Sequence, residues 1–140
     1  MTIQCTGYVI SAAGAWAKKG DGSAALKSES HLHAERVAWG KLPTSTAYLL
    51  VQNAFPCTDC HIYFKGESKN HNIVIKVEAN DGAYSAEHFK NAKGLPILKG
   101  ATPCVIYYRN EVATYVNASI VMGGGSGDPP AGFPAIPEIL

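Results

Sequence analysis

A continuous apolar run, Ala47 to Gln52 with Tyr48, Leu49, Leu50 and Val51 inside it, leads almost directly into Phe55-Pro56-Cys57-Thr58-Asp59-Cys60. A run this short and unbroken suits a central strand buried on both faces. Pro56 is tolerated at the first turn of a helix, so a helix begins just past the strand end. Strand C-termini beside helix N-termini are where α/β sheets hold ligands, and this junction carries two thiols. Cys57 and Cys60, three residues apart, share one helix face. The partial positive charge of a helix start also favours their thiolates.

His33-Ala34-Glu35 adds one imidazole and one carboxylate. His33, Cys57 and Cys60 make three protein ligands, the number a catalytic zinc keeps while leaving a place for water; a structural zinc closes its tetrahedron with four. Glu35 is then left over as the proton acceptor such a water needs. In mid-helix His33 and Glu35 would point to opposite sides. They serve one site only at a helix start, which predicts two helix N-termini aimed at one metal. The alternative is a four-ligand structural zinc completed by Cys5 or Cys104. Neither cysteine has a close partner in the sequence, which gives that alternative little support.

His-Ala-Glu followed by Pro-Cys-x-x-Cys resembles the zinc-dependent cytidine deaminase superfamily, whose signature pairs H-x-E with P-C-x-x-C. The likeness covers the core around residues 33–60; the flanks agree in their order of elements. It implies a three-layer α/β fold with a mixed central sheet of about five strands flanked by helices. It also implies hydrolytic conversion of cytosine to uracil with Zn²⁺ as cofactor. By the same likeness Glu35 passes a proton to the ring nitrogen and assists the departing ammonia, and the backbone N–H of Ala34 binds the base carbonyl. The wider family includes the deaminase toxin domains of bacterial polymorphic toxins. That likeness implies an immunity protein as partner and action in the cytoplasm of a target cell after secretion within a larger toxin. Single-stranded DNA or RNA as substrate is expected from the basic, glycine-bearing stretch with Trp16, Lys18, Lys19 and Lys27 that leads into the metal helix, since a base inside a duplex must first be unstacked.

Along the chain, Ile3 to Ser11 reads as a strand. Ala12 to Ala17 either continues it after a turn at Gly14 or forms a short helix. Lys18 to Ser30 is polar, with Gly20, Gly22 and three lysines, Lys18, Lys19 and Lys27. It reads as a loop leading to the metal helix, either a solvated connection or a substrate-facing loop whose lysines meet phosphate. The first metal helix runs from His31 to about Gly40, with Pro43 preventing its continuation and Val37 and Trp39 at core or rim. The second runs from about Cys57 to Phe64 and stops near Gly66. Ile73 to Val77 is a short strand, Ser85 to Ala92 a weak helix with Ser85 as N-cap, Thr102 to Arg109 a strand and Glu111 to Val116 another. If the weak helix is a right-handed crossover, the Thr102 strand lies parallel to that at Ile73, the direction slightly favoured. Residues 1–122 thus form the deaminase-like domain. Residues 123–140 have the Gly/Pro composition of a linker, with an apolar ending, Ile136 to Leu140, that either docks on the core or belongs to a truncated neighbour.

Of the remaining candidates, Phe55 suits a pocket wall or ordinary packing, and Trp16 suits the core or stacking on a base. His31 and His61 flank the ligands and suit surface or supporting roles better than ligation. Asp59 reads as a solvated helix residue. Tyr107, Tyr108 and Arg109 end a strand and face either substrate or sheet. The formal charge of +1 announces no global basic field for a nucleic-acid partner, which leaves only a local groove such as the Lys18–Lys19 region. No stretch resembles a signal peptide or membrane span, and Cys5 and Cys104 read as buried, reduced thiols. Two competing functions follow. One is a free cytidine, deoxycytidine or other nucleobase deaminase of salvage, although the N-terminal substrate motif of salvage cytidine deaminases is not found. The other is a zinc-stabilised interaction module, which would have no use for Glu35.

Overall fold

The computed structural model describes residues 2–25, 33–53, 56, 58–78, 98–120, 125–126, 130–134 and 136. They form an α/β arrangement of one mixed sheet and two helices. The strands are β1 (Thr2–Ile10), β2 (Trp16–Ala25), β3 (Tyr48–Gln52), β4 (Ile73–Val77), β5 (Leu98–Arg109), β6 (Val112–Ile120) and β7 (Gly125–Ser126); the helices are α1 (Ala34–Trp39) and α2 (Thr58–Glu67). The sheet order is β2-β1-β3-β4-β5-β6-β7. Among the described residues only β3–β4 and β6–β7 are parallel pairs.

The two central strands follow from their sequences. Leu50 of β3 and Ile73, Ile75 and Val77 of β4 enter one core cluster, together with Ala34 and Ala38 of α1 and Cys60 and Phe64 of α2. Leu49 and Val74 enter the other, with Tyr107. Strands that place apolar residues on both faces are stable only when both faces are covered. Both described helices lie on the first face. The second is partly covered by Phe133 and Ile136 from the C-terminal segment. α2 lies between β3 and β4, the element a parallel pair needs to return the chain. Its end is held by Ser68, whose carbonyl accepts from the Asn110 N–H at 2.9 Å and whose hydroxyl accepts from the Glu111 N–H at 3.0 Å.

Four expectations are corrected. Lys18 to Ser30 is not a loop throughout, because β2 runs to Ala25 and pairs antiparallel with β1. The glycines that suggested a loop are where a helix approaches a strand: a Cβ on Gly22 would lie 2.2 Å from the Ala34 carbonyl oxygen. Glycine inside a strand is a usual mark of such close backbone approach. The ambiguous Ala12–Ala17 stretch is a turn, with Gly14 at φ +84°, followed by the start of β2.

Second, β5 lies antiparallel to β4, with Ile73 opposite Tyr108 and Val77 opposite Cys104. The chain re-enters the sheet at the end where β4 left it, so no crossover along the strands is called for. The weak helix on which the parallel expectation depended, Ser85 to Ala92, lies outside the described residues. Third, the described residues form a sheet of seven strands rather than about five, the additions being β2 and the two-residue β7. The tight β5–β6 turn has Asn110 and Glu111 both at positive φ, 51° and 65°. Two positive φ values match the twist of a two-residue hairpin.

Fourth, the Gly/Pro-rich segment does not behave as a linker where it is described. β7 pairs with β6, the Arg109 guanidinium donates to the Ala131 carbonyl and lies 4.4 Å from the centre of the Phe133 ring, and Tyr107 meets that ring edge-on at 5.0 Å. No helix among the described residues is long and apolar enough to cross a membrane.

Candidate metal centre

α1 begins at His33, whose φ of −64° and ψ of 150° are extended, and Gly40 ends it in a right-handed conformation. The His33 carbonyl closes the first turn by accepting from the Val37 N–H at 2.9 Å. Its imidazole makes no capping bond and instead reaches α2, where Nδ1 lies 3.2 Å from Cys60 Sγ. Glu35, one residue inside the helix, comes to the same point because the extended His33 breaks the helical spacing between the two side chains. Its Oε1 accepts from Cys60 Sγ at 3.5 Å. One donor atom from each of His33, Glu35 and Cys60 lies within 4.8 Å of the others.

The site is buried. Cys60 is fully covered and Glu35 is 4% exposed. A carboxylate taken out of water must be compensated, and Gln52, the last residue of β3, donates from Nε2 to Glu35 Oε2 at 2.9 Å. Gln52 was not foreseen as part of the site. Its signal was a polar residue closing an otherwise apolar central strand at the very end that faces the helix starts.

The residues present fit a metal ion. Imidazole nitrogen and thiolate sulfur together suit zinc. The 3.2 Å separation of Nδ1 and Sγ is near the roughly 3.5 Å that bonds of about 2.0–2.1 Å and about 2.3 Å subtend at a tetrahedral centre. Among the described residues, neither Cys5 nor Cys104 enters the cluster. Both are buried in the core. Burial pushes the Cys104 thiol up to about 12. Burial, and then the nearby Glu35 and Asp21 charges, hold the Cys5 thiol well above its usual range. Their position, outside the cluster among the described residues, is what sets them apart from the candidate ligands. Cys57, Phe55, His31 and Lys27 lie outside the described residues.

Ala34, the first residue of α1, is buried beside the site. The structure does not bring Trp16, Lys18 and Lys19 there. Trp16 and Lys18 stand opposite Ile10 and Tyr8, and Lys19 occupies the register shift between Lys18 and Gly20. Trp16 packs with Tyr8 against the sheet face opposite the helices. Lys18 is exposed and forms an ion pair with Asp21 at 3.4 Å. For Trp16 and Lys18 the assignment as substrate contacts is corrected, because residues two apart on a strand share a face and that face is the one opposite the helices.

His61 is neither a ligand nor a surface residue. It is fully buried, with Nδ1 2.9 Å from the Tyr108 hydroxyl. Burial, and then the charge of Lys65, lower its pKa to about 4. Tyr108 faces this core, Tyr107 the opposite one. Arg109 donates from Nε to Asn72 Oδ1 at 3.1 Å.

Comparison of the chain with protein-family models, with curated proteins and with solved structures finds no match.

Proposed function

We propose that this protein is a zinc-dependent hydrolytic deaminase that converts cytosine to uracil in single-stranded nucleic acid, built on a cytidine deaminase-like fold. The observation that carries the reading is the convergence of His33, Glu35 and Cys60 at the starts of two helices beside the end of β3. A purely structural zinc site has no need of a buried carboxylate aimed at it, whereas hydrolysis needs a base. His33, Cys60 and, from the sequence motif, Cys57 would hold the metal. When bound, zinc lowers the pKa of a water molecule from about 15.7 toward about 7.

The protein's own groups supply the rest. Glu35 takes the proton from the attacking water through Oε1, the oxygen not engaged by Gln52 in the bond above. It gives that proton to the ring nitrogen, then carries the proton of the newly formed hydroxyl to the leaving amine as the carbonyl forms. A carbon–oxygen bond forms, the exocyclic carbon–nitrogen bond breaks, and ammonia departs. The Ala34 N–H, at the first position of α1, is free of the intrahelical bonding that engages later amides and is assigned to the base carbonyl.

The toxin-like context, with an immunity protein as partner and delivery within a larger protein, rests on the motif likeness alone. A free nucleoside as substrate gains ground from one observation: the basic stretch that suggested phosphate contacts is a strand, with Lys18 already paired to Asp21. The deciding experiment incubates zinc-loaded protein with pooled single-stranded DNA and RNA and, separately, with cytidine. Sequencing should show C-to-T changes in the oligonucleotides that are absent with Glu35→Ala. Turnover of cytidine with untouched oligonucleotides would move the substrate to the free nucleoside. A-to-G changes would move it to adenine, and no turnover of any of these would overturn the deaminase reading.

A further inference from the structure

The distances within the site raise a question that the deaminase reading leaves open. Glu35 is close enough to the His33 and Cys60 donor atoms to be a metal ligand itself, and zinc accepts carboxylate oxygen readily. A ligated Glu35 would fill the position that water needs and would no longer serve as a base. Something must therefore hold it back.

We propose that Gln52 is the positioning residue that does so: its side-chain amide pins Oε2 of Glu35 and fixes the tilt of the carboxylate, so that Oε1 stands beside the coordination sphere rather than in it. This rests on the deaminase reading for its catalytic consequence, but the metal geometry it predicts does not. Three observations support it. The Gln52–Glu35 bond is short, 2.9 Å, and buried, where a hydrogen bond to a charged group is worth most. It distinguishes the two carboxylate oxygens, since Oε1 faces Cys60 Sγ instead. And Gln52 stands on a rigid element: β3 is paired on both sides, Gln52 itself lying opposite Cys5 of β1 and Val77 of β4. Groups carried by strands hold a site more tightly than groups carried by loops. Glutamine suits the task because its amide donates a hydrogen bond while carrying no charge to compete with the metal.

The test uses full-length protein with cobalt(II) in place of zinc, comparing wild type, Gln52→Met, Gln52→Leu, Glu35→Ala and the Gln52→Met/Glu35→Ala double variant. Releasing Glu35 should change the visible cobalt spectrum of Gln52→Met as an oxygen ligand is added, with zinc held no more weakly than in wild type. The change should vanish in the double variant, because the carboxylate responsible is gone. Deamination by Gln52→Met should fall about 10- to 100-fold in kcat, the size usual for residues that orient a metal site, with KM unchanged. Gln52→Leu guards against an effect peculiar to methionine. A cobalt spectrum unaltered in both Gln52 variants, a change that persists without Glu35, or a Gln52→Met protein that binds no metal would each overturn the proposal. A Glu35-dependent spectral change in a protein that deaminates nothing would uphold it and defeat the deaminase reading instead.

Discussion

At the scale of single residues, the most telling side chain outside the metal centre is His61. An apolar site with a hydroxyl partner stabilises neutral imidazole over imidazolium, which is why its pKa falls to about 4 from 6.5. In the unfolded chain His61 takes up a proton near its ordinary value, so between about pH 6.5 and about pH 4 the unfolded state binds more protons than the folded one. The contribution is therefore complete above pH 6.5 and is lost as pH falls toward 4, amounting to about 3 kcal/mol at most. Urea titrations at pH 7 and pH 4.5, both in chelator so that metal release plays no part, should show that loss. His61→Gln, which keeps a polar partner for Tyr108, should have a flatter profile. An equal loss in the variant would mean that the sensitivity lies elsewhere.

At the scale of elements, the position of α1 depends on a bare stretch of β2. A Cβ on Gly22 would approach two backbone atoms of α1, Ala34 O at 2.2 Å and Ala38 N at 2.8 Å, neither of which can rotate away. Gly66, inside α2, has nothing within 4 Å of an added Cβ. Gly22→Ala should therefore destabilise the protein by about 1–3 kcal/mol, as overpacking does, and weaken zinc binding because α1 carries His33 and Glu35. Gly66→Ala should stabilise it by roughly 0.5–1 kcal/mol, the ordinary cost of glycine in a helix. Denaturation midpoints of the two variants, with zinc affinity for the first, check both. If Gly22→Ala were as well tolerated as Gly66→Ala, the close contact between α1 and β2 would be wrong.

Over the whole molecule, the parts of the fold readable in the sequence were those fixed by local chemistry. The apolar runs of β3 and β4 have no stable alternative to burial on both faces, and the metal motifs marked both helix starts to within a few residues. β2 was not readable, because its glycines answer to a helix packed on it rather than to its own strand preference. The direction of β5 was not readable either, since it depends on where the chain re-enters the sheet. Docking of the apolar ending at Ile136 was among the readable alternatives, whereas that of Phe133 depends on apolar partners supplied by distant strands. At the site, His33, Glu35 and Cys60 were legible from spacing, whereas Gln52 acquires its role only when β3 is placed beside α1.

The proposed function stands on one claim, that His33, Cys60 and, from the motif, Cys57 would hold zinc with Glu35 as a base beside it. Native mass spectrometry of the purified protein tests it most directly. One zinc per chain should be found in wild type, Glu35→Ala, Cys5→Ser and Cys104→Ser, and should be lost from His33→Ala and Cys60→Ser. Wild type without zinc, zinc retained after Cys60→Ser, or zinc lost on changing Cys5 or Cys104 would contradict it.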